Sequence, residues 1–246
     1  MKRTVLVAGA SRGIGAAVCK KLDDGGHQVI GVSRFETRID GKNIEPTLPQ
    51  AHLPSSVDTF CVDLSDFESA EKKISDIDKQ YSIDALICSA GYGRFGSLEE
   101  FSNKQIQQLL NTNLLSHMML CRYLLPSLKK ANRSDIVFIG SESALQGGRF
   151  GAVYSATKAG LRGFAQALRY ECANANCHIG IVNPGMTRTA FFDELNFEPG
   201  PGINHAIDDA TVAEAVATLL SAPDNSVFDE INLSPLQKVV AKKPAN

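Results

Sequence analysis

Apolar residues along this chain follow two alternating rhythms. Short runs, apolar almost throughout, occupy 4–8, 28–32, 59–62, 85–89, 135–139, 179–182 and 230–233. Between them lie longer stretches in which apolar residues return every three or four positions, at 14–23, 67–80, 103–130, 154–173 and 211–221. A strand with water on one face alternates apolar and polar positions, whereas a continuous apolar run suits a parallel strand covered on both faces. The short runs therefore predict buried parallel strands, and the longer period predicts the helices that cover them. Alternation over the whole length specifies the α/β class: a doubly wound parallel sheet in three α/β/α layers, with residues 1–246 forming a single domain.

Two segments break the rhythm. Residues 38–56 carry Pro46, Pro49 and Pro54 and show no helical period. Proline removes an amide donor and restricts the residue before it, so a crossing loop is expected there. Residues 188–206 are irregular and rich in Phe, Pro and Gly, as binding loops and lids often are.

Composition changes this picture little. The net charge of −2 supplies no basic field for nucleic acid or an anionic membrane. The six cysteines, Cys19, Cys61, Cys88, Cys121, Cys172 and Cys177, form no CxxC pair and have no zinc spacing with the histidines, so no metal is expected. Most lie in apolar runs and are read as reduced packing residues. The first apolar run is broken at Gly9, too early for a signal peptide, and no membrane-length stretch exists. A cytoplasmic protein is expected.

Chemistry enters at Gly9-Ala10-Ser11-Arg12-Gly13-Ile14-Gly15, between the first strand and the first helix. Glycines allow a tight turn and let backbone amides approach a phosphate, while the helix N-terminus adds aligned N–H groups and a positive dipole end. The spacing is neither that of the commonest dinucleotide loop nor that of a Walker loop, since no Gly-Lys-Ser/Thr follows. Dinucleotide-binding units usually place an acid near the end of the second strand to hold ribose hydroxyls. Here that strand ends Val32-Ser33-Arg34, and Arg12 lies in the loop. Two guanidinium groups suit a 2′-phosphate, which favours NADP(H) over NAD, although Arg34 could instead be a solvated loop residue.

A second cluster is Tyr154-Ser155-Ala156-Thr157-Lys158, near the start of a helix. Residues four apart share a helix face, so the phenol and the ammonium can meet one ligand. A free Tyr has a pKa near ~10 and is a poor acid–base group at neutral pH; a nearby cation lowers that value. Ser141 follows the fifth strand, at the carboxyl edge where doubly wound sheets bind ligands. Ser143 competes with it for the same role.

Taken with Asp63-Leu64, Ala90-Gly91, Asn113 and Asn183-Pro184-Gly185-Met186-Thr187-Arg188-Thr189, these motifs make the chain resemble the short-chain dehydrogenase/reductase family, whose sheet is a Rossmann fold. The resemblance implies an NADP(H)-dependent oxidoreductase that interconverts a carbonyl and a secondary alcohol. Its implied catalytic set is Asn113, Ser141, Tyr154 and Lys158. Tyr154 would protonate the carbonyl oxygen and Ser141 would hydrogen-bond it; the family spacing selects Ser141 over Ser143. Lys158 would hold the nicotinamide ribose and bias Tyr154, and Asn113 would hold a water linking Lys158 to solvent. The implied cofactor contacts are Gly9, Ser11, Arg12, Gly13, Ile14, Gly15, Ser33, Arg34, Asp63, Leu64, Ala90 and Gly91, with Asn113, Tyr154 and Lys158. Pro184, Gly185, Thr187 and Thr189 complete them, the two threonines anchoring the carboxamide. A homotetramer or homodimer is implied through the helices at 103–130 and 154–173, together with a small-molecule partner and neither nucleic acid nor membrane.

Some positions depart from the family pattern. Cys88-Ser89 stand where two asparagines are usual, so bonds that brace the central strands must be replaced. The last strand, Glu230-Ile231-Asn232-Leu233-Ser234-Pro235, looks more like the branch that acts on small polar carbonyls or hydroxy acids. Tyr92, Arg94, Phe95, residues 142–150 and residues 186–197 are expected to line the substrate pocket. A non-catalytic NADP(H)-binding sensor is the alternative reading, but such a protein would be free to lose Tyr154 or Lys158. An epimerase or dehydratase is disfavoured because the chain is short for the extra substrate domain.

Overall fold

The computed structural model describes residues 2–34 and 53–243; most of the expected loop at 38–56 lies outside them. In chain order the elements are β1 (Thr4–Ala8), α1 (Gly13–Asp24), β2 (Gln28–Ser33), β3 (Asp58–Cys61), α2 (Phe67–Tyr81) and β4 (Ala85–Cys88). Then come α3 (Asn103–Leu110), α4 (Ser116–Leu128), β5 (Ser134–Ile139), α5 (Ala152–Cys172), β6 (Cys177–Pro184) and β7 (Thr187–Arg188). The chain continues through β8 (Phe197–Pro199), β9 (Ile207–Asp208), α6 (Asp209–Leu220), β10 (Glu230–Leu233) and β11 (Val240–Lys242).

Seven strands form one sheet in the order β10-β6-β5-β4-β1-β2-β3, and every pairing in it is parallel. Side chains alternate across a strand, and β1 shows how this builds two cores. Leu6 and Ala8 join one cluster with Ile74 of α2, Leu124 of α4 and Leu161 of α5. Val5 and Val7 join the other, with Val18 and Leu22 of α1 and Val216 of α6. This is the three-layer arrangement expected of strands that are apolar throughout. The edge strands β3 and β10 are the exception, being only partly covered because each has a neighbour on one side alone.

Two expectations are corrected. The single helix at 103–130 is two helices, α3 and α4, joined by a π turn over Asn111–Leu115. A π turn inserts one residue and leaves the apolar period nearly intact, so periodicity does not reveal it; such turns recur at functional sites. The irregular segment at 188–206 also holds regular pairing. β8 lies within it and runs antiparallel to β11, while β7 and β9, paired in parallel, bracket its two ends. These strands of two or three residues have partners remote in sequence, and no local alternation marks them.

The edge of the sheet where β1 and β5 begin is tied by charge. Arg3 and Arg133 grip the two oxygens of Asp135 at 3.0 and 3.2 Å, with Arg3 and Asp135 both buried. Burial pushes the Asp135 carboxyl up against the pull of both arginines. Removing one member of a buried pair strands its partner in a medium that solvates it poorly. Asp135→Leu should therefore lower unfolding free energy by about 3 kcal/mol in urea titration, and an unchanged midpoint would show that this cluster does not brace the sheet.

Candidate active site

Strand order reverses between β1 and β4, and ligands of doubly wound sheets sit at such a reversal, beyond the carboxyl ends of the strands. A cavity of about 780 Å³ opens there. Its first wall is the loop from Gly9 to Gly15, with Ser11, Arg12, Gly13 and Ile14 all on the surface of the cavity. Gly9 has φ +85°, and a Cβ on it would sit 2.7 Å from the Ala90 backbone. A Cβ on Gly15 would run into the Gly9 carbonyl. Both glycines are thus demanded by close backbone approach. The first turn of α1 has no side-chain cap, which leaves its amides available to an anion.

The second wall comes from the ends of β2 and β3, with Ser33, Arg34, Asp63 and Leu64. Asp63 accepts from the Ser65 amide at 2.9 Å and hydroxyl at 2.7 Å. Burial raises its carboxyl, but the Ser65 bonds and the charge of Arg34 outweigh this and hold it below the ordinary value. A carboxylate does therefore lie within electrostatic reach of Arg34, supplied by the third strand where the sequence reading looked only at the second. Ala90 and Gly91 at the end of β4, and Pro184, Gly185, Thr187 and Thr189 after β6, complete this part of the cavity. Thr187 donates to the Gly185 carbonyl at 3.1 Å, and Thr189 accepts from the Phe191 amide at 3.2 Å.

Ser141, Tyr154 and Lys158 meet on the same cavity. All three are buried. The Ser141 side chain eases ionisation of the Tyr154 hydroxyl, and Ser141 Oγ accepts the Ser143 amide at 3.1 Å. Ser141 and Ser143 both line the cavity. Lys158 Nζ donates to the Ile139 carbonyl at 2.9 Å and lies 5.9 Å from the centre of the Tyr154 ring. Burial pushes the phenol up to about 12, the Ser141 side chain opposes this, and the charge of Glu142 adds to the rise. Burial alone lowers Lys158 to about 8. Desolvation outweighs the influence of Ser141, and the hydroxyl keeps its proton.

Asn113 is fully buried within the π turn and stands behind the cavity wall. Its amide clasps the backbone of Tyr92, accepting from N at 3.0 Å and donating to O at 2.9 Å. It thereby fixes the loop after β4 beside Lys158. The missing asparagines of that strand are compensated nearby. His117 is fully buried, and its Nε2 lies 2.8 Å from the Ala90 carbonyl. Burial, reinforced by the charge of Lys158, lowers its pKa to about 3, so the ring is neutral and donates. The Cys88 thiol meets that of Cys121. The sequence reading missed His117 because a lone histidine in an apolar helix carries no motif.

On the remaining side lie Tyr92, Phe95, Glu142, Ser143, Gly148, Arg149, Phe150, Met186, Phe191, Phe192 and Phe197. Most of the expected substrate-side residues are thus assembled. Arg94 is not: it is exposed outside the cavity, 6.0 Å from the Phe101 ring. The structure adds Lys238 and Val240 from the C-terminal segment, which no motif flagged. Lys238 pairs with Glu142 at 2.9 Å. Among the described residues no group of His, Cys, Asp and Glu could hold a metal ion, and no helix is long and apolar enough to cross a membrane.

Comparison with known proteins agrees with this geometry. The family model described as short chain dehydrogenase matches residues 3–199. A 3-oxoacyl-[acyl-carrier-protein] reductase of Buchnera aphidicola is 34% identical over 79% of this chain and 78% of its own. A protein of the same name from Bos taurus is 31% identical over 91% and 93%. Among solved structures, an alcohol dehydrogenase from Thermococcus sibiricus complexed with 5-hydroxy-NADP superposes with a TM-score of 0.80 at 22% identity, covering 97% of this chain and 99% of that one. A 3-ketoacyl-(acyl-carrier-protein) reductase from Brucella melitensis complexed with NADH gives 0.78 at 19%, covering 95% and 97%. Sheet order, glycine loop and family match all lead to one conclusion: this chain belongs to the short-chain dehydrogenase family of oxidoreductases.

Proposed function

We propose that the protein is an NADP(H)-dependent oxidoreductase that interconverts a carbonyl and a secondary alcohol. One observation carries the reading: Tyr154, Ser141 and Lys158 are buried together on the same cavity as the uncapped start of α1. The residues suit a dinucleotide. Glycine backbone and the amides of α1 would receive its pyrophosphate, while Arg12 and Arg34 would receive a 2′-phosphate. Bound there, NADP(H) supplies or accepts the hydride.

The chain's own groups then handle the oxygen and its proton. Ser141 Oγ–H donates a hydrogen bond to the carbonyl oxygen and orients it. Tyr154, held protonated by burial, passes its proton to that oxygen as negative charge develops. The charge of Lys158 stabilises the resulting phenolate, and a further donor on its ammonium is available for a ribose hydroxyl. Asn113 keeps the Tyr92 loop, and through it the wall next to Lys158, in place.

Three measurements test this. Tyr154→Phe removes the proton and little else, so kcat should fall by about 10³-fold, while NADPH still raises the thermal midpoint; retained turnover would place the proton donor elsewhere. NADPH should stabilise the protein more than NADH, and Arg34→Ala should weaken NADPH binding by about tenfold with little effect on NADH. A stronger response to NADH would refute the role of the arginines. The third measurement is the pH profile of kcat/KM, which reports the free enzyme. With Lys158 lowered to about 8 and Tyr154 raised to about 12, raising pH through 8 removes the ammonium while the phenol stays protonated. Efficiency should therefore fall above about pH 8, and a plateau extending to pH 10 would show that the Lys158 charge is not required.

A further inference from the structure

Five aromatic rings close into a collar at the Tyr154 end of the cavity. Tyr154 lies 5.2 Å from Phe95, centre to centre, and Phe95 lies 5.1 Å from Phe197. Phe197 is 5.8 Å from Phe192, Phe192 is 5.1 Å from Phe191, and Phe191 returns to Tyr154 at 6.0 Å. Each ring thus touches two others. Four of the five contacts are edge-on, with interplanar angles between 60° and 82°, the geometry that aromatic quadrupoles prefer.

The collar draws on three separate segments: the loop after β4, the start of α5, and the stretch from 191 to 197. Its small neighbours make room for it. A Cβ on Gly93 would collide with the Phe191 and Phe95 rings, and one on Gly151 would press on Phe95 at 3.2 Å. Phe197 is fixed in turn by the pairing of β8 with β11, and the Lys243 ammonium donates to the Phe192 carbonyl at 2.5 Å. Phe95, Phe191 and Phe197 are nevertheless only half-buried, and all of them line the cavity. Preorganised aromatic surface that remains open to a cavity is what an apolar ligand covers.

Polar groups fit around this surface in a consistent way. In the proposed reaction Ser141 and Tyr154 are both directed at the carbonyl oxygen. Glu142 and Lys238, also on the cavity, neutralise each other at 2.9 Å. A substrate with hydroxyl or carboxylate groups beside its carbonyl would lose their hydration against the phenylalanine faces, whereas Ser143 and Arg149, which also line the cavity, are not members of the collar.

We infer that the substrate carries an aryl or bulky apolar group next to its carbonyl, seated in the collar of Tyr154, Phe95, Phe197, Phe192 and Phe191. The inference rests on the carbonyl–alcohol reaction proposed above and names its substrate class. It departs from the small polar carbonyls and hydroxy acids to which the last strand pointed.

The test is a matched panel with NADPH: acetophenone and cyclohexyl methyl ketone against dihydroxyacetone and acetoacetate. The apolar ketones should exceed the polar ones in kcat/KM by at least about tenfold, and Phe191→Ala and Phe197→Leu should each narrow that ratio, chiefly through KM. Both variants should still gain thermal stability from NADPH, which separates a reshaped collar from an unfolded protein. As a binding readout, 1-phenylethanol titrated into Tyr154→Phe, which cannot turn it over, should give a saturable heat. Polar ketones reduced as well as aryl ones, or a ratio unmoved by both variants, would overturn the substrate class and leave the reaction standing. No turnover of any ketone with NADPH demonstrably bound would overturn both.

Discussion

Gly9 and Ala90 approach so closely at the ends of β1 and β4 that no side chain fits between them. That contact is where strand order reverses, and the chain leaves the two strands toward opposite halves of the sheet. The crevice between the diverging connections is the cavity. Its floor is backbone, so amides rather than side chains face whatever enters. The phosphate loop, the turn after β4 and the start of α1 all take their positions from this approach. So does His117, whose ring reaches the Ala90 carbonyl from the helix behind.

The chemistry depends on a balance between burial and charge. Ser141, Tyr154 and Lys158 are withdrawn from water together, and desolvation moves the two ionisable groups in opposite senses. Each is driven toward its neutral form. In the proposed reaction, a phenol so placed would surrender its proton only when something else compensates the new charge, which would tie proton release to a substrate oxygen and a nearby ammonium.

Much of this was legible in the sequence because it is local. Seven apolar runs gave the strands of the large sheet, and Tyr154 and Lys158 lie one helical turn apart. The glycine loop sits at the one strand–helix junction where its residues make physical sense. What escaped was non-local or aperiodic. The π turn at Asn113 hides inside an unbroken apolar period, and it is this turn that carries Asn113 to the Tyr92 backbone. The family resemblance implies Asp63 as a cofactor contact, but its electrostatic pairing with Arg34, from the end of the neighbouring strand, carries no sequence signal. Lys238 meets Glu142 across most of the length of the second half of the chain, with no pattern to announce it.

The pairing of β8 with β11 has a consequence for how such a site can change. It makes β11 a structural splint for Phe197 and its neighbours, while Ser141 follows β5 and Tyr154 and Lys158 lie on α5. The entrance and the proposed acid–base group meet in one ring, since Tyr154 packs on both Phe95 and Phe191. In the proposed reaction, a change near β11 would act on the entrance first and reach the proton donor only through that ring.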